Sequence, residues 1–68
     1  MNEIIFMVHE PPKGGYAAEA LGQSIFTVAG TLDELNEMVR DAVLCHFDEK
    51  DRPKIIRLHF VREEVIAV

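Results

Sequence analysis

Cys45, His46 and His59 are the side chains of this 68-residue sequence with the most distinctive chemistry, a thiol and two imidazoles. Such a set suggests a zinc site or a Cys/His nucleophile. The spacing argues against both. Adjacent residues on a helix point about 100° apart, so Cys45 and His46 do not converge on one ion. No C-x-x-C or H-x-x-x-H spacing occurs, the kind a zinc site uses. No base stands at a diagnostic interval from Cys45, as an activated nucleophile requires. Cys45 is therefore expected as a small buried thiol. His46 is expected to pack at a helix end, where a cationic ring suits the dipole, and His9 and His59 to lie on partly exposed sides of strands.

The carboxylates give a similar result. A metal-dependent nuclease needs several acidic side chains converging on Mg²⁺. Glu3, Glu10, Glu19, Glu63 and Glu64 fall mostly at strand ends. Asp33, Glu34 and Glu37 fall in the first turns of a helix, where the dipole favours negative charge. Gly14-Gly15 lacks both the longer glycine pattern and the following helix of a phosphate loop. No catalytic residue, metal ligand or cofactor is expected.

The elements that carry these residues follow from local signals. Ile4 to His9 is apolar at nearly every position and reads as a strand, with Ile4, Phe6 and Val8 on one face and Ile5 and Met7 on the other. Pro11 to Gly15 is a turn, with Gly14-Gly15 supplying the positive φ of a hairpin. Tyr16 to Leu21 is a second strand of smaller side chains, and Ser24 to Ala29 a third. Thr31 and Glu34 form a capping box that opens a helix over about Leu32 to Phe47. Its stripe is Leu35, Val39, Ala42 and His46, widened by Leu32, Met38, Val43 and Phe47. Pro53 blocks further helix. Lys54 to Val68 reads as one long strand, bent near Glu63-Glu64.

The fold class is therefore α+β, a single domain over residues 1–68 of order β-β-β-α-β, with an antiparallel-type sheet and one helix on one face. One helix covers one face, yet the first and last strands are apolar on both. The bare face and the Val65–Val68 edge point to self-association as a two-fold dimer or a higher oligomer. The interface residues expected are Ile5, Met7, Ile55, Val61, Val65 and Ile66.

Hydrophobic residues make up 49% of the chain, which excludes a disordered polar tail. No apolar run approaches the roughly 18 residues of a membrane span, so no membrane partner is expected. The single cysteine and the lack of a leader pattern give a cytoplasmic protein as the default. A net charge of −5 argues against direct nucleic-acid binding, which draws on basic phosphate contacts, and is compatible with a basic protein partner.

Glu10-Pro11-Pro12-Lys13-Gly14-Gly15-Tyr16-Ala17-Ala18 resembles the E-x-x-x-G-G-Y-x-A hairpin of HicB-like proteins. Gly30-Thr31-Leu32-Asp33-Glu34-Leu35, continuing to Arg40-Asp41-Ala42-Val43, is similar to that family's G-x-T-x-E-E-A helix start and body. The likeness covers roughly residues 3 to 47. Leu21-Gly22-Gln23-Ser24 departs from the Pro-Gly-Cys turn frequent in the family, and Leu35 replaces a common alanine.

The resemblance implies a minimal antitoxin with a partial ribonuclease-H-like domain. It would neutralise a small basic HicA-type mRNA-cleaving toxin by covering its active site. No counterpart of the DNA-binding segment that many members carry is expected in this chain. Under this implication the partner-binding residues are Glu10, Glu19, Asp33, Glu37 and Asp41, with Asp48, Glu49 and Asp51 in the same acidic set. Tyr16 is either a ring anchor for that partner or a cross-strand packing residue. The alternative function is a structural or regulatory homo-oligomer without a toxin.

Overall fold

The computed structural model describes residues 2–68. Strands β1 (Glu3–His9), β2 (Tyr16–Ala20) and β3 (Phe26–Ala29) precede helix α1 (Leu32–His46), and β4 (Ile55–Phe60) follows it. The sheet order is β3-β2-β1-β4. β1–β2 and β2–β3 are antiparallel, whereas β4 lies parallel to β1. The sheet is thus mixed. The antiparallel expectation holds for the first three strands and is corrected for the fourth. α1 is the reason: β3 and β4 run in the same direction, and parallel strands need a long crossover in place of a tight turn.

Ile4, Phe6 and Val8 are at most 3% exposed and form the centre of the core. Ala18 and Ala20 lie opposite Val8 and Phe6 on β2, on the same face. These small side chains let α1 settle over β2 and β3, the strands it contacts most. Leu35, Val39 and Val43 are its buried residues. The stripe is narrower than the sequence suggests. Ala42 and Phe47 are half-buried against the core, Leu32 and Met38 are 41% and 38% exposed, and His46 is exposed. A helix resting on two strands buries one row of residues.

Thr31 caps the helix, its hydroxyl accepting from the Glu34 amide at 3.1 Å. The return bond of the capping box, from the Thr31 amide to the Glu34 carboxylate, is not formed among the described residues. The hairpin loop closes with the Gly14 amide donating to the Pro11 carbonyl at 2.9 Å. Gly14 and Gly15 have φ of 96° and 78°. A Cβ on Gly15 would lie 2.7 Å from the Ala29 carbonyl oxygen, while none of the surrounding atoms comes within 4 Å of one on Gly14.

The long terminal strand is corrected. β4 ends at Phe60, and residues 61–68 join no ladder and are all exposed. The last rung is the Val61 amide donating to the Val8 carbonyl at 2.7 Å. Beyond His9, β1 turns away through Pro11-Pro12, so the arm has no neighbour to pair with. It draws the molecule out to 52 × 20 × 17 Å, with a radius of gyration of 13.4 Å. A compact chain of this length would have about 11 Å.

Gly15→Ala adds a backbone clash to the left-handed strain and should cost about 1–3 kcal/mol, more than Gly14→Ala, which meets strain alone. Thr31→Ala should cost about 1 kcal/mol. Urea denaturation of the three variants checks this order. Equal losses at both glycines would contradict the clash.

Candidate functional site

The sheet face away from α1 is uncovered. It carries Ile5 and Met7 from β1, Phe26 and Val28 from β3, and Ile55 from β4, around the small Ala17. The registers set the grouping: Ala17 opposes Val28 and Glu19 opposes Phe26, Met7 opposes Glu19, and Glu3 opposes Ile55. Phe26 and Val28 are 62% and 54% exposed. Sequence reasoning missed these two as surface anchors. The signal was the alternation of Ile25, Thr27 and Ala29 with Phe26 and Val28, which assigns the two sets to opposite faces.

Of the residues expected at an oligomer interface, Ile5, Met7 and Ile55 share this face. Val61, Val65 and Ile66 lie apart from it, on the exposed arm. A concavity of about 610 Å³ opens where the loop after β1 meets the base of the arm, lined by His9, Glu10, Pro12, Val61, Arg62 and Glu63, among others.

The acidic residues divide among four places. Asp33, Glu37 and Asp41 recur every four residues on α1 and are exposed, a spacing that forms one continuous ridge. Glu19 stands on the uncovered sheet face, across the fold from α1. Glu10 lies at the cleft. Tyr16 is half-buried and packs against the core, so its ring is engaged within the fold. Asp48, Glu49 and Asp51 are exposed in the connector after α1.

A protein of Archaeoglobus fulgidus named UPF0150 protein is 62% identical over 55 residues, 81% of this chain and 82% of that protein. A Thermotoga maritima protein of the same name is 47% identical over 67 residues, 98% of this chain and 94% of that protein. This chain belongs to the UPF0150 family. No protein-family model matches it, and no solved structure does either.

In this UPF0150 chain the side chains with distinctive chemistry are dispersed. Cys45 is exposed, which corrects the expectation of a buried thiol; it falls outside the single row of α1 that reaches the core. His46 meets the Gln23 side chain at 3.3 Å, and its ring stands edge-on to Phe47 at 4.9 Å. His9 and His59 are exposed at the margins of the uncovered face. No group of three or more His, Cys, Asp or Glu residues is placed to hold a metal ion among the described residues. No helix among them is long and apolar enough to cross a membrane.

One ion pair within 4 Å forms among the described residues. Arg57 Nε donates to Glu3 Oε1 at 2.7 Å, and Arg57 Nη2 to Oε2 at 3.3 Å, joining β4 to β1 across the uncovered face. This bidentate contact holds the Glu3 carboxyl below the usual glutamate range, chiefly through the hydrogen bond from Arg57, and raises the guanidinium in turn. The folded value of Glu3 lies below the unfolded one. The stabilisation is therefore present above the unfolded carboxylate range and is lost as pH falls through the folded value. In an NMR pH titration Glu3 should have a midpoint below that of an ordinary glutamate, and Arg57→Gln should move it upward. An unchanged midpoint would show that the pair does not persist in solution.

Proposed function

We propose that this chain is an antitoxin-like binding module that neutralises a small basic mRNA-cleaving toxin of the HicA type by occluding its active site. The likeness of the Glu10–Ala18 hairpin and the Gly30–Val43 helix to HicB-like proteins supplies the class of partner. The observation that carries the reading is the ridge of Asp33, Glu37 and Asp41. These carboxylates are exposed and none forms an ion pair among the described residues, so their charge is available to a basic surface. Complementary charge of this kind speeds encounter and rejects wrong partners, while apolar anchors supply most of the affinity. Inhibition would be stoichiometric, with the module itself performing no chemistry.

A second reading, a structural or regulatory homo-oligomer without a toxin, is favoured by the uncovered apolar face with Phe26 and Val28.

Co-expression with the product of the adjacent reading frame, followed by pull-down, distinguishes the two. The antitoxin reading expects a small basic protein to co-purify and its RNA cleavage to stop at a fixed ratio. Reversing the ridge (Asp33→Lys, Glu37→Lys, Asp41→Lys) should slow association by about tenfold or more at low ionic strength, with a smaller effect in high salt. A neighbouring product that is not basic, or that leaves the chain unbound as a homo-oligomer, would favour the second reading.

A further inference from the structure

β4 is an edge strand with a defined polarity. The Ile55 amide donates to Asn2 and the Val61 amide to Val8, so odd-numbered residues turn their backbone groups towards β1. Ile56, Leu58 and Phe60 turn theirs outward, where no strand receives them. The arm continues from this strand with Val65 and Ile66 84% and 78% exposed. Residues 61–68 contain no Gly, Pro, Asn, Asp or Ser, so no turn-former is present to fold the arm back on its own sheet. An apolar arm leaving an open edge with no local means of reversal calls for another chain.

We propose that Leu58–Val68 pairs antiparallel with the same segment of a second copy, about a two-fold axis through Glu63. In that register Phe60 lies opposite the partner's Ile66, Val61 opposite the partner's Val65, and Arg62 opposite the partner's Glu64. Leu58 meets the partner's Val68. Each contact occurs twice, as an isologous interface requires. Apart from His59 opposite the partner's Ala67, apolar residues meet apolar ones, and the two central charges meet their opposites. The single cost is Glu63 facing its own mate.

The neighbouring registers are worse. An axis through Arg62 sets that residue against itself and Phe60 against Glu64. An axis through Val61 sets Leu58 against Glu64. An axis between two residues would set even-numbered residues, whose backbone groups face outward, against odd-numbered ones, whose groups face the β1 side, and no ladder would form. Pairing of this kind would join two four-stranded sheets into one of eight strands. It does not rest on the toxin reading, since the α1 ridge takes no part in it.

A cysteine scan in the full chain tests the register, with Cys45→Ser removing the exposed native thiol. Odd-numbered residues form the non-hydrogen-bonded pairs, whose Cα atoms stand about 4.5 Å apart, within the span of a disulfide. Glu63→Cys should cross-link to a covalent dimer under mild oxidation, with a yield at least about fivefold above Val61→Cys or Val65→Cys alone, whose mates would lie roughly 13 Å apart along the strands. A mixture of the Val61→Cys and Val65→Cys chains should cross-link with each other.

Without cysteines, Arg62→Glu and Glu64→Arg should each weaken dimerisation about tenfold, and the double exchange should restore it. The arm lies outside the core, so circular dichroism should show all variants folded. Cross-linking that does not peak at position 63, a double exchange without rescue, or dimerisation indifferent to every arm variant and carried by the uncovered face, would overturn the proposal.

Discussion

A helix about 10 Å wide covers about two strands spaced some 4.8 Å apart, and this fold supplies one helix for four strands. That mismatch governs the molecule. Ala18 and Ala20 keep the surface beneath α1 low, and the row Leu35, Val39 and Val43 joins them in the core. β1 sits at the centre of the sheet and is closed over on its flank by Ile56 and Leu58, which pack against the core while remaining partly exposed. Ile55 and Phe60 of β4 and the apolar residues of the arm are left over after the core is complete. So is the whole face carrying Phe26 and Val28.

These leftovers are distributed in a way that separates two kinds of contact. The side of the sheet covered by α1 presents the carboxylate ridge outward, and the opposite side presents apolar residues bordered by the Glu3–Arg57 pair. The arm projects from one end, beside the cleft lined by Glu10 and Arg62. Under the proposed function a charged partner would approach the helix while a second copy occupies the edge, so the two associations would not compete. Glu19 is the one acidic candidate on the apolar side, where it lies between Met7 and Phe26. It suits the rim of an oligomer contact better than the ridge.

The order of elements was legible because each boundary had its own local chemistry. Thr31 marked the start of the helix, Gly14-Gly15 the reversal, and Pro53 the limit beyond which helix could not continue. Features that depend on tertiary neighbours were not legible. The sequence from Lys54 to Val68 has the composition of a strand throughout. Where pairing stops depends on β1 turning away after His9, which no local pattern in the arm encodes. The width of the helix stripe was misread for the same reason: Leu32, Met38 and His46 have the spacing of core residues but stay exposed, while Ala42 and Phe47 pack against the core only partly buried. Cys45 is exposed by the same geometry. The acidic candidates were recognisable as charges, but only the i, i+4 set on α1 could have been grouped in advance. Glu10 and Glu19 were separated from it by the topology.

One physical claim underlies the arm pairing and the oligomer reading: the apolar surface left over once α1 has closed the core favours contact with another chain over contact with water. Sedimentation equilibrium of the unmodified chain, over a concentration range wide enough to span dissociation, tests this most directly. The fitted mass should rise from that of one 7.7 kDa chain towards twice that value or more as concentration increases. A mass that stays at one chain to the highest concentration would contradict it.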